Sequence, residues 1–159
     1  MAIIFEPIGY IHSPHKQLHN MPIQPSVAQG IKGYIELNKK YTEALSDLDG
    51  FSHIYILYIF HKAKPFQQKV TPYLEKQKRG LFSTRAPQRP NPIGLSVVRL
   101  ISIEKNILQI ENIDALDGTP LIDIKPYVNE MEALDHVQIG WLKKYTSELD
   151  SKLSDRRFT

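Results

Sequence analysis

Cysteine is absent from this chain of 159 residues. Its absence excludes disulfides, thiolate metal sites and cysteine nucleophiles, and it suits a protein of a reducing compartment. Long apolar runs are also lacking. No segment approaches the ~18 apolar residues of a membrane-spanning helix, and the N-terminus has no secretory signal pattern. Together with the modest length, these absences predict one cytoplasmic domain over residues 1–159.

Several common motifs are missing as well. No G-x-G-x-x-G follows a predicted strand, which argues against a Rossmann dinucleotide site. The phosphate-binding G-x-x-x-x-G-K-[ST], the G-x-S-x-G nucleophile turn and the H-E-x-x-H zinc helix do not occur. The corresponding nucleotide-binding, hydrolase and zinc-protease classes are therefore disfavoured.

Positive charge is concentrated in residues 61–100, which we call the basic segment. It holds nine Lys and Arg residues and one acidic residue, whereas the whole chain has a net charge of only +3. Such a concentration attracts phosphates or a carboxylate. The alternative is a solvated surface whose charge is offset by acidic neighbours in the fold.

The hydrophobic pattern predicts a mainly β protein. Predicted strands cover residues 3–12, 33–37, 51–60, 80–85 and 121–128, with a hairpin over 93–114 that turns at 104–106. The apolar strand 51–60 is expected to be buried on both faces. Because βαβ alternation is missing, we expect a compact antiparallel β-barrel, with its core at about 3–130.

Helices are expected at the periphery of this barrel. Residues 41–50 predict a short helix with Thr42 as its N-cap, and apolar spacing predicts a helical tail over about 138–153. Residues 13–30 and 62–79 are expected to be loops, and the final residues 154–159 are expected to fray.

Histidines and aspartates are the candidate chemical groups. His12, His15 and His19 lie close in sequence, but Pro14 interrupts them and no fourth ligand is evident, so no metal site is predicted. His61 ends the apolar strand at the edge of the basic segment, where functional groups are common. His53 is expected to be a core or interface residue.

The carboxylates near residue 115 divide into two kinds. Asp117 precedes a glycine, and this pair is typical of a tight turn. Asp114 lies at a strand end, where a proton-transfer site and a cap are equally compatible with the pattern.

Four segments together carry a resemblance to a known family. They are "IGYIHSP" at 8–14, "FSHIYILYIFH" at 51–61, "RAPQRPNPIG" at 85–94 and "DGTPLIDIKPY" at 117–127. The combination closely resembles the TrmO family, also called TsaA-like or YaeB-like proteins, over roughly residues 5–130. The resemblance implies a β-barrel methyltransferase domain that binds S-adenosylmethionine, methylates N6 of threonylcarbamoyladenosine beside the tRNA anticodon, and forms homodimers.

The resemblance also implies site residues. The positions that match the family's cofactor-binding residues are Pro25, Ser26, Val27, His61, Lys62, Arg85, Leu95, Asn112, Ile113 and Asp114. Ser26 and Lys62 depart from the family's glycine and glutamine. Long members of the family carry a further C-terminal domain, which this chain does not show.

The chemistry of methyl transfer assigns further roles. Arg85, Arg89 and Asn91 are expected to bind substrate, since arginine pairs with carboxylate or phosphate in bidentate fashion. Asp114 or His61 is expected to accept the proton lost by the acceptor nitrogen. Two alternatives stay open: a methyltransferase for a small molecule or another RNA, and a binding module without turnover.

Overall fold

Six antiparallel strands close into a barrel in this computed structural model, which describes residues 1–149 and 151–158 and, at Arg156, the backbone alone. The barrel order is β1-β2-β7-β6-β3-β8. These strands are β1 Gly9–His12, β2 Lys32–Leu37, β3 His53–Ile59, β6 Ile93–Glu104, β7 Ile107–Glu111 and β8 Thr119–Pro126. Two short strands, β4 Lys69–Val70 and β5 Arg79–Gly80, pair separately. The predicted antiparallel β-barrel is confirmed.

Aliphatic side chains from alternate strand positions fill the barrel. Ile11, Ile35, Ile56 and Leu108 are fully enclosed. The expectation that the apolar strand is buried on both faces was wrong, because burial along β3 strictly alternates between enclosed and half-buried residues. Successive side chains of a strand point to opposite faces, and the outer face of β3 is only partly covered.

The predicted hairpin is confirmed as β6 and β7. Lys105 lies in the left-handed region at φ 55°, and the Asn106 side-chain amide donates to the Leu37 carbonyl at 2.8 Å. The turn is therefore anchored to β2 as well as to its own strands.

Two strand predictions need correction. The first strand begins at Gly9 rather than at residue 3, and the chain before it is largely exposed. Residues 80–85 form no strand beyond Gly80, since Leu81–Ser83 make a 3₁₀ turn. The hydroxyl of Thr84 donates to the Leu81 carbonyl at 2.7 Å and closes that turn, so a local side-chain bond outcompetes strand pairing.

The helix predictions also need correction. The first helix is two 3₁₀ segments, Lys39–Leu45 and Leu48–Gly50, and its cap is Asn38, whose side chain accepts from the Lys40 amide. The C-terminal helix is the 3₁₀ segment Gly140–Glu148, and a single α-helical turn, α1 Asn129–Glu132, precedes it.

Apolar spacing could not separate these forms, because side chains recur every 3 residues in a 3₁₀ helix and every 3.6 in an α-helix. Asp150, within the predicted tail, lies outside the described residues. No helix of the described chain is long and apolar enough to cross a membrane.

The C-terminal tail, residues 151–158, is docked rather than frayed, contrary to expectation. Phe158 is 6% exposed and packs with Val70, Leu81 and Ala86 in a second apolar cluster. Ser154 exchanges backbone and side-chain hydrogen bonds with Met21, at 2.7 and 2.8 Å. These long-range contacts have no signature in the tail's own sequence. Thr159 lies outside the described residues.

Glu75 joins the basic segment to the C-terminal helix. Its carboxylate accepts from the Arg79 guanidinium at 2.5 and 3.1 Å, the Lys144 ammonium at 3.2 Å and the Tyr145 hydroxyl at 2.9 Å. Hydrogen bonds from Arg79, and further bonds from the Lys76 amide, Tyr145 and Lys144, hold the pKa of Glu75 far below its usual value against the opposing effect of burial.

The close approach of β1 and β2 supplies a stability prediction. A Cβ at Gly33 would lie 2.5 Å from the His12 carbonyl oxygen and 3.1 Å from Ile113 Cγ2. We expect Gly33→Ala to lower the free energy of unfolding by about 1–3 kcal/mol through overpacking, and to lower Tm by several degrees. The matched control is Gly50→Ala, where a Cβ would meet nothing within 4 Å. Equal melting temperatures for the two variants would contradict this account.

Candidate functional site

A cavity of about 360 Å³ opens at one end of the barrel. Its walls come from residues 18–25, the end of β3 with residues 60–63, residues 84–95, residues 114–116, and the C-terminal tail. The volume falls within the range of roughly 300–1,000 Å³ that is usual for small-ligand sites. Segments far apart in sequence therefore share one concave surface.

The proline-arginine motif forms one wall because its own arginine braces it. Arg89 Nη1 donates to the carbonyls of Thr84 and Ala86 at 3.0 and 3.2 Å. The Phe60 amide donates to the Pro92 carbonyl at 2.7 Å, which ties the motif to the end of β3. A side chain at Gly94 would overlap the Tyr58 ring, so glycine lets that ring pack against β6.

A hydroxyl relay leads from the barrel core to the cavity. Ser96 Oγ donates to Asp114 Oδ1 at 2.6 Å, and the Tyr58 hydroxyl lies 3.0 Å from Ser96 Oγ. With the Ser96 proton directed to the carboxylate, Tyr58 donates to Ser96. Asp114 therefore has a fixed orientation at the cavity wall.

Burial sets the acidity of this relay. It raises the pKa of Asp114 to about 6, while the Ser96 hydrogen bond and the positive charge of Arg85 act in the opposite direction. Burial and the nearby Asp114 charge raise the pKa of Tyr58, which stays protonated. A carboxyl group with a pKa near neutrality is suited to accept and release a proton.

Besides Arg89, three cationic or basic side chains border the same cavity. Arg85 and Lys62 line it and are exposed. His61 follows β3, and burial together with the Lys62 charge lowers its pKa. The imidazole is therefore largely neutral at physiological pH.

The structure brings many of the predicted site residues together. Those that line the cavity are Pro25, His61, Lys62, Arg85, Arg89, Leu95 and Asp114. Ser26, Val27, Asn91, Asn112 and Ile113 are not part of its wall. Seven of the twelve predicted site residues thus line the cavity.

The residues beside the cavity have definable local roles. Asn112 sits in the left-handed region at φ 67°, and its side chain accepts from the Gly30 amide at 2.9 Å. Ile113 is fully enclosed in the core, and Ser26 is exposed. The Val27 amide donates to the Gln24 carbonyl at 3.0 Å, and the Ile93 amide donates to the Asn91 carbonyl at 2.8 Å. These residues shape the loops that carry the wall.

Sequence reasoning missed Tyr58, Ser96, Ser154 and Phe158, all of which belong to the cavity wall or to its relay. The pairing of Tyr58 with Gly94 across β3 and β6 was a usable signal, because a strand glycine often marks a close packing partner. The tail residues offered no such signal.

Two of the three clustered histidines, His12 and His15, take separate structural partners. His12 lies 3.6 Å from carboxylate oxygens of both Glu36 and Asp117, while His15 Nε2 contacts the Ile113 carbonyl at 3.0 Å. Across the described residues, no group of three His, Cys, Asp or Glu side chains is arranged to hold a metal ion. His53 is half-buried and bonds to Ser52 Oγ at 2.8 Å.

The expected turn at Asp117 is confirmed. Gly118 adopts φ 76°, and Asp117 Oδ1 accepts from the Ser13 amide at 3.0 Å. Asp117 thus joins the turn to the loop after β1, as an Asp in a tight turn commonly does.

Comparison with known proteins identifies the family of this chain. The family model for the tRNA-methyltransferase O N-terminal domain matches residues 10–150. A probable S-adenosyl-L-methionine-binding protein of Pyrococcus abyssi is 49% identical over 158 residues, which cover 99% of this chain and 86% of that protein. A human tRNA (adenine(37)-N6)-methyltransferase is 35% identical over 142 residues, covering 85% of this chain but 32% of the enzyme.

Solved structures extend the agreement to three dimensions. The crystal structure of TrmO from Pseudomonas aeruginosa superimposes with a TM-score of 0.76 at 40% identity. The match covers 88% of this chain and 62% of that one, so this chain spans less than two thirds of the solved protein. By sequence and by fold, the chain belongs to the tRNA-methyltransferase O family, whose N-terminal domain it matches over residues 10–150.

Proposed function

We propose that this protein is an S-adenosylmethionine-dependent methyltransferase that modifies N6 of threonylcarbamoyladenosine in the anticodon loop of a tRNA. The observation that carries the proposal is Asp114, a carboxylate fixed by Ser96 in a cavity beside the basic segment. The names of the family's relatives support the coarser activity. The modified nucleoside is the finer part of the proposal.

The cavity suits the cofactor in size and in charge. Its apolar surfaces, including Leu95 and Phe60, can cover an adenine ring, and Asp114 offers a negative charge to a sulfonium. Arg85 offers a cation to a carboxylate. The residues proposed to hold the cofactor are Pro25, His61, Lys62, Arg85, Leu95 and Asp114. When bound, the cofactor supplies a methyl group on a positively charged sulfur.

The chain's own residues handle the proton. The acceptor nitrogen carries one hydrogen that must leave as the nitrogen is methylated, and we assign its acceptance to Asp114. Ser96 and Tyr58 are positioning residues, because they orient the carboxylate by a 2.6 Å and a 3.0 Å hydrogen bond. Orientation of this kind supplies much of the rate in transfer between bound partners.

Uncompensated positive charge supports an RNA acceptor. Glu75, the acidic residue of the basic segment, is enclosed by Arg79, Lys144 and Tyr145. Six exposed cations have no carboxylate oxygen within 4.0 Å in the described part of the chain; they are Lys62, Lys64, Lys69, Lys76, Lys78 and Arg85. Such a surface attracts phosphates without reading sequence.

Binding and turnover of purified protein test the proposal directly. We expect calorimetry to show S-adenosylmethionine binding that persists after exhaustive chelation of metal ions. We also expect transfer of labelled methyl to bulk tRNA, with nucleoside mass spectrometry locating it on N6-modified threonylcarbamoyladenosine. Binding without transfer to any acceptor would leave only a binding module. Transfer to a different nucleoside or to a small molecule would support the methyltransferase activity but contradict the proposed substrate.

The pH dependence of turnover tests the role of Asp114. Because a base must be deprotonated, and its pKa is about 6, we expect kcat to rise as pH increases through about 6 and then level off. Asp114→Asn removes the base and is expected to lower kcat at least about 100-fold.

Ser96 provides the control on this assignment. Ser96→Ala removes a hydrogen bond that stabilises the charged form, so the midpoint of the pH profile is expected to move upward by roughly one unit. Ser102→Ala, an exposed position on the same strand, is the matched control and should leave the profile unchanged. An identical pH profile of kcat for wild type and Ser96→Ala would contradict the assignment of Asp114 as the base.

Assembly is the remaining proposal. We propose a homodimer with each cavity near the subunit boundary, as the family resemblance implies. The exposed apolar side chains of Met131, Leu134 and Val137 offer a surface for a second copy. Light scattering after size exclusion should give roughly double the chain mass of 18.3 kDa. A fully active species at the single-chain mass would overturn the dimer.

A further inference from the structure

Phe82 is more exposed than any other aromatic residue that the structure describes. Its side chain is 76% accessible, against 58% for Phe5 and 42% for Phe66. An exposed phenylalanine forgoes the favourable free energy of burying its ring. Packing within this chain therefore does not explain why the aromatic ring is placed there.

The backbone that carries Phe82 is firmly held on both sides. Leu81 is 2% exposed in the second apolar cluster. The Thr84 amide and hydroxyl donate to the Leu81 carbonyl at 3.0 and 2.7 Å. The Ser83 carbonyl accepts from Trp141 Nε1 at 2.9 Å. The exposed ring is thus presented from an ordered turn.

A cation supports the ring from within the motif. The Arg89 guanidinium lies over Phe82, 5.6 Å from the ring centroid. Arg89 is itself held by the Thr84 and Ala86 carbonyls. A guanidinium on a ring is a favourable cation–π arrangement, and the ring's exposure shows that most of its remaining surface faces solvent.

The surroundings define what this ring would meet. Thr84, Arg85 and Arg89 line the cavity, so Phe82 lies within two or three residues of the cavity wall on one short segment. Lys76, Lys78 and Arg85 of the basic segment have no carboxylate oxygen within 4.0 Å in the described part of the chain. Unpaired RNA combines phosphates, which bind cations, with bases, which stack on aromatic side chains and on arginine. An acidic protein would pair with the cations, but it has no flat bases that would stack on an exposed aromatic ring.

We propose that Phe82, supported by Arg89, is a stacking platform for an unpaired nucleobase of the RNA acceptor, next to the nucleotide that enters the cavity. This inference rests on the proposed function. It assigns a specificity role to a residue outside the cavity wall, because stacking requires that the RNA present a base free of its partner. A fully paired helix keeps its bases stacked inside and cannot use the platform.

RNA binding in the absence of cofactor tests the proposal without relying on turnover. The probes are a fluorescein-labelled anticodon stem-loop and a fully paired duplex of the same length, both followed by fluorescence anisotropy. Wild type is compared with Phe82→Ala, Phe82→Trp and the matched control Phe5→Ala, an exposed phenylalanine outside the basic segment. Calorimetric affinity for S-adenosylmethionine is measured for every variant.

We expect Phe82→Ala to weaken stem-loop binding roughly tenfold, as loss of one base–aromatic stack does, and to leave duplex and cofactor affinity unchanged. Phe82→Trp should restore stem-loop binding, and Phe5→Ala should match wild type. The salt dependence of stem-loop binding should keep its slope in Phe82→Ala but become shallower by about one in Lys78→Ala, because only the second change removes a phosphate contact.

The proposal and the proposed function fail in different ways. Unchanged stem-loop affinity in Phe82→Ala, an equal loss on the duplex, or no recovery with Phe82→Trp would each overturn the stacking role. Wild-type protein that binds no RNA would overturn it as well. A different outcome is wild-type protein that binds the stem-loop through Phe82 without binding cofactor or transferring methyl. That result would support the stacking role of Phe82 and contradict the proposed methyltransferase function.

Discussion

The pairing of β3 with β6 is the constraint on which the site depends. Seven residue pairs run in register from His53 opposite Arg99 to Ile59 opposite Ile93. This register sets Tyr58 against Gly94 and places Ser96 on the same inner face, two residues along β6. A slip of one residue would turn each of these side chains to the other face of the strand. The hydroxyls of Tyr58 and Ser96 would then no longer reach Asp114 through the relay.

A second constraint is the enclosure of Glu75. The Glu75 carboxylate contacts Arg79, Lys144 and Tyr145. The backbone carbonyl of Glu75 accepts a hydrogen bond from Arg157 at 3.1 Å. The basic segment, the C-terminal helix and the tail are thereby joined around one buried charge. Because this carboxylate is fully occupied, it cannot offset the exposed lysines. The same contacts thus hold these segments together and leave the surrounding surface positive.

Glu75 and Asp114 show how the environment separates the roles of two carboxylates. Glu75 is surrounded by donors that stabilise its charge, so its pKa falls and it remains a structural anion. Asp114 has one hydroxyl donor and a more distant guanidinium, so burial prevails and its pKa rises to about 6. Groups whose pKa values are pushed apart in this way are typically divided between stability and chemistry.

Local patterns were sufficient for the barrel. Alternation and turn residues predicted the hairpin of β6 and β7. The family resemblance, and not local periodicity, selected Arg85, Leu95 and Asp114, all of which line the cavity. Local patterns did not predict that β3 is fully buried on one face only, or that a 3₁₀ turn replaces a strand at Leu81. The first depends on what packs outside the strand, and the second depends on one side-chain hydrogen bond.

What the sequence by itself determined is therefore the six strands of the barrel, the cysteine-free and locally basic composition, and the motif that frames the cavity. The tertiary structure alone decided that Tyr58 and Ser96 orient Asp114, that the tail closes the wall through Ser154 and Phe158, and that Phe82 stays exposed over Arg89. The reason is distance along the chain. Strand periodicity and turns are written in neighbouring residues, whereas the Ser154 hydroxyl meets the Leu18 carbonyl across 136 positions, and no local pattern encodes such a contact.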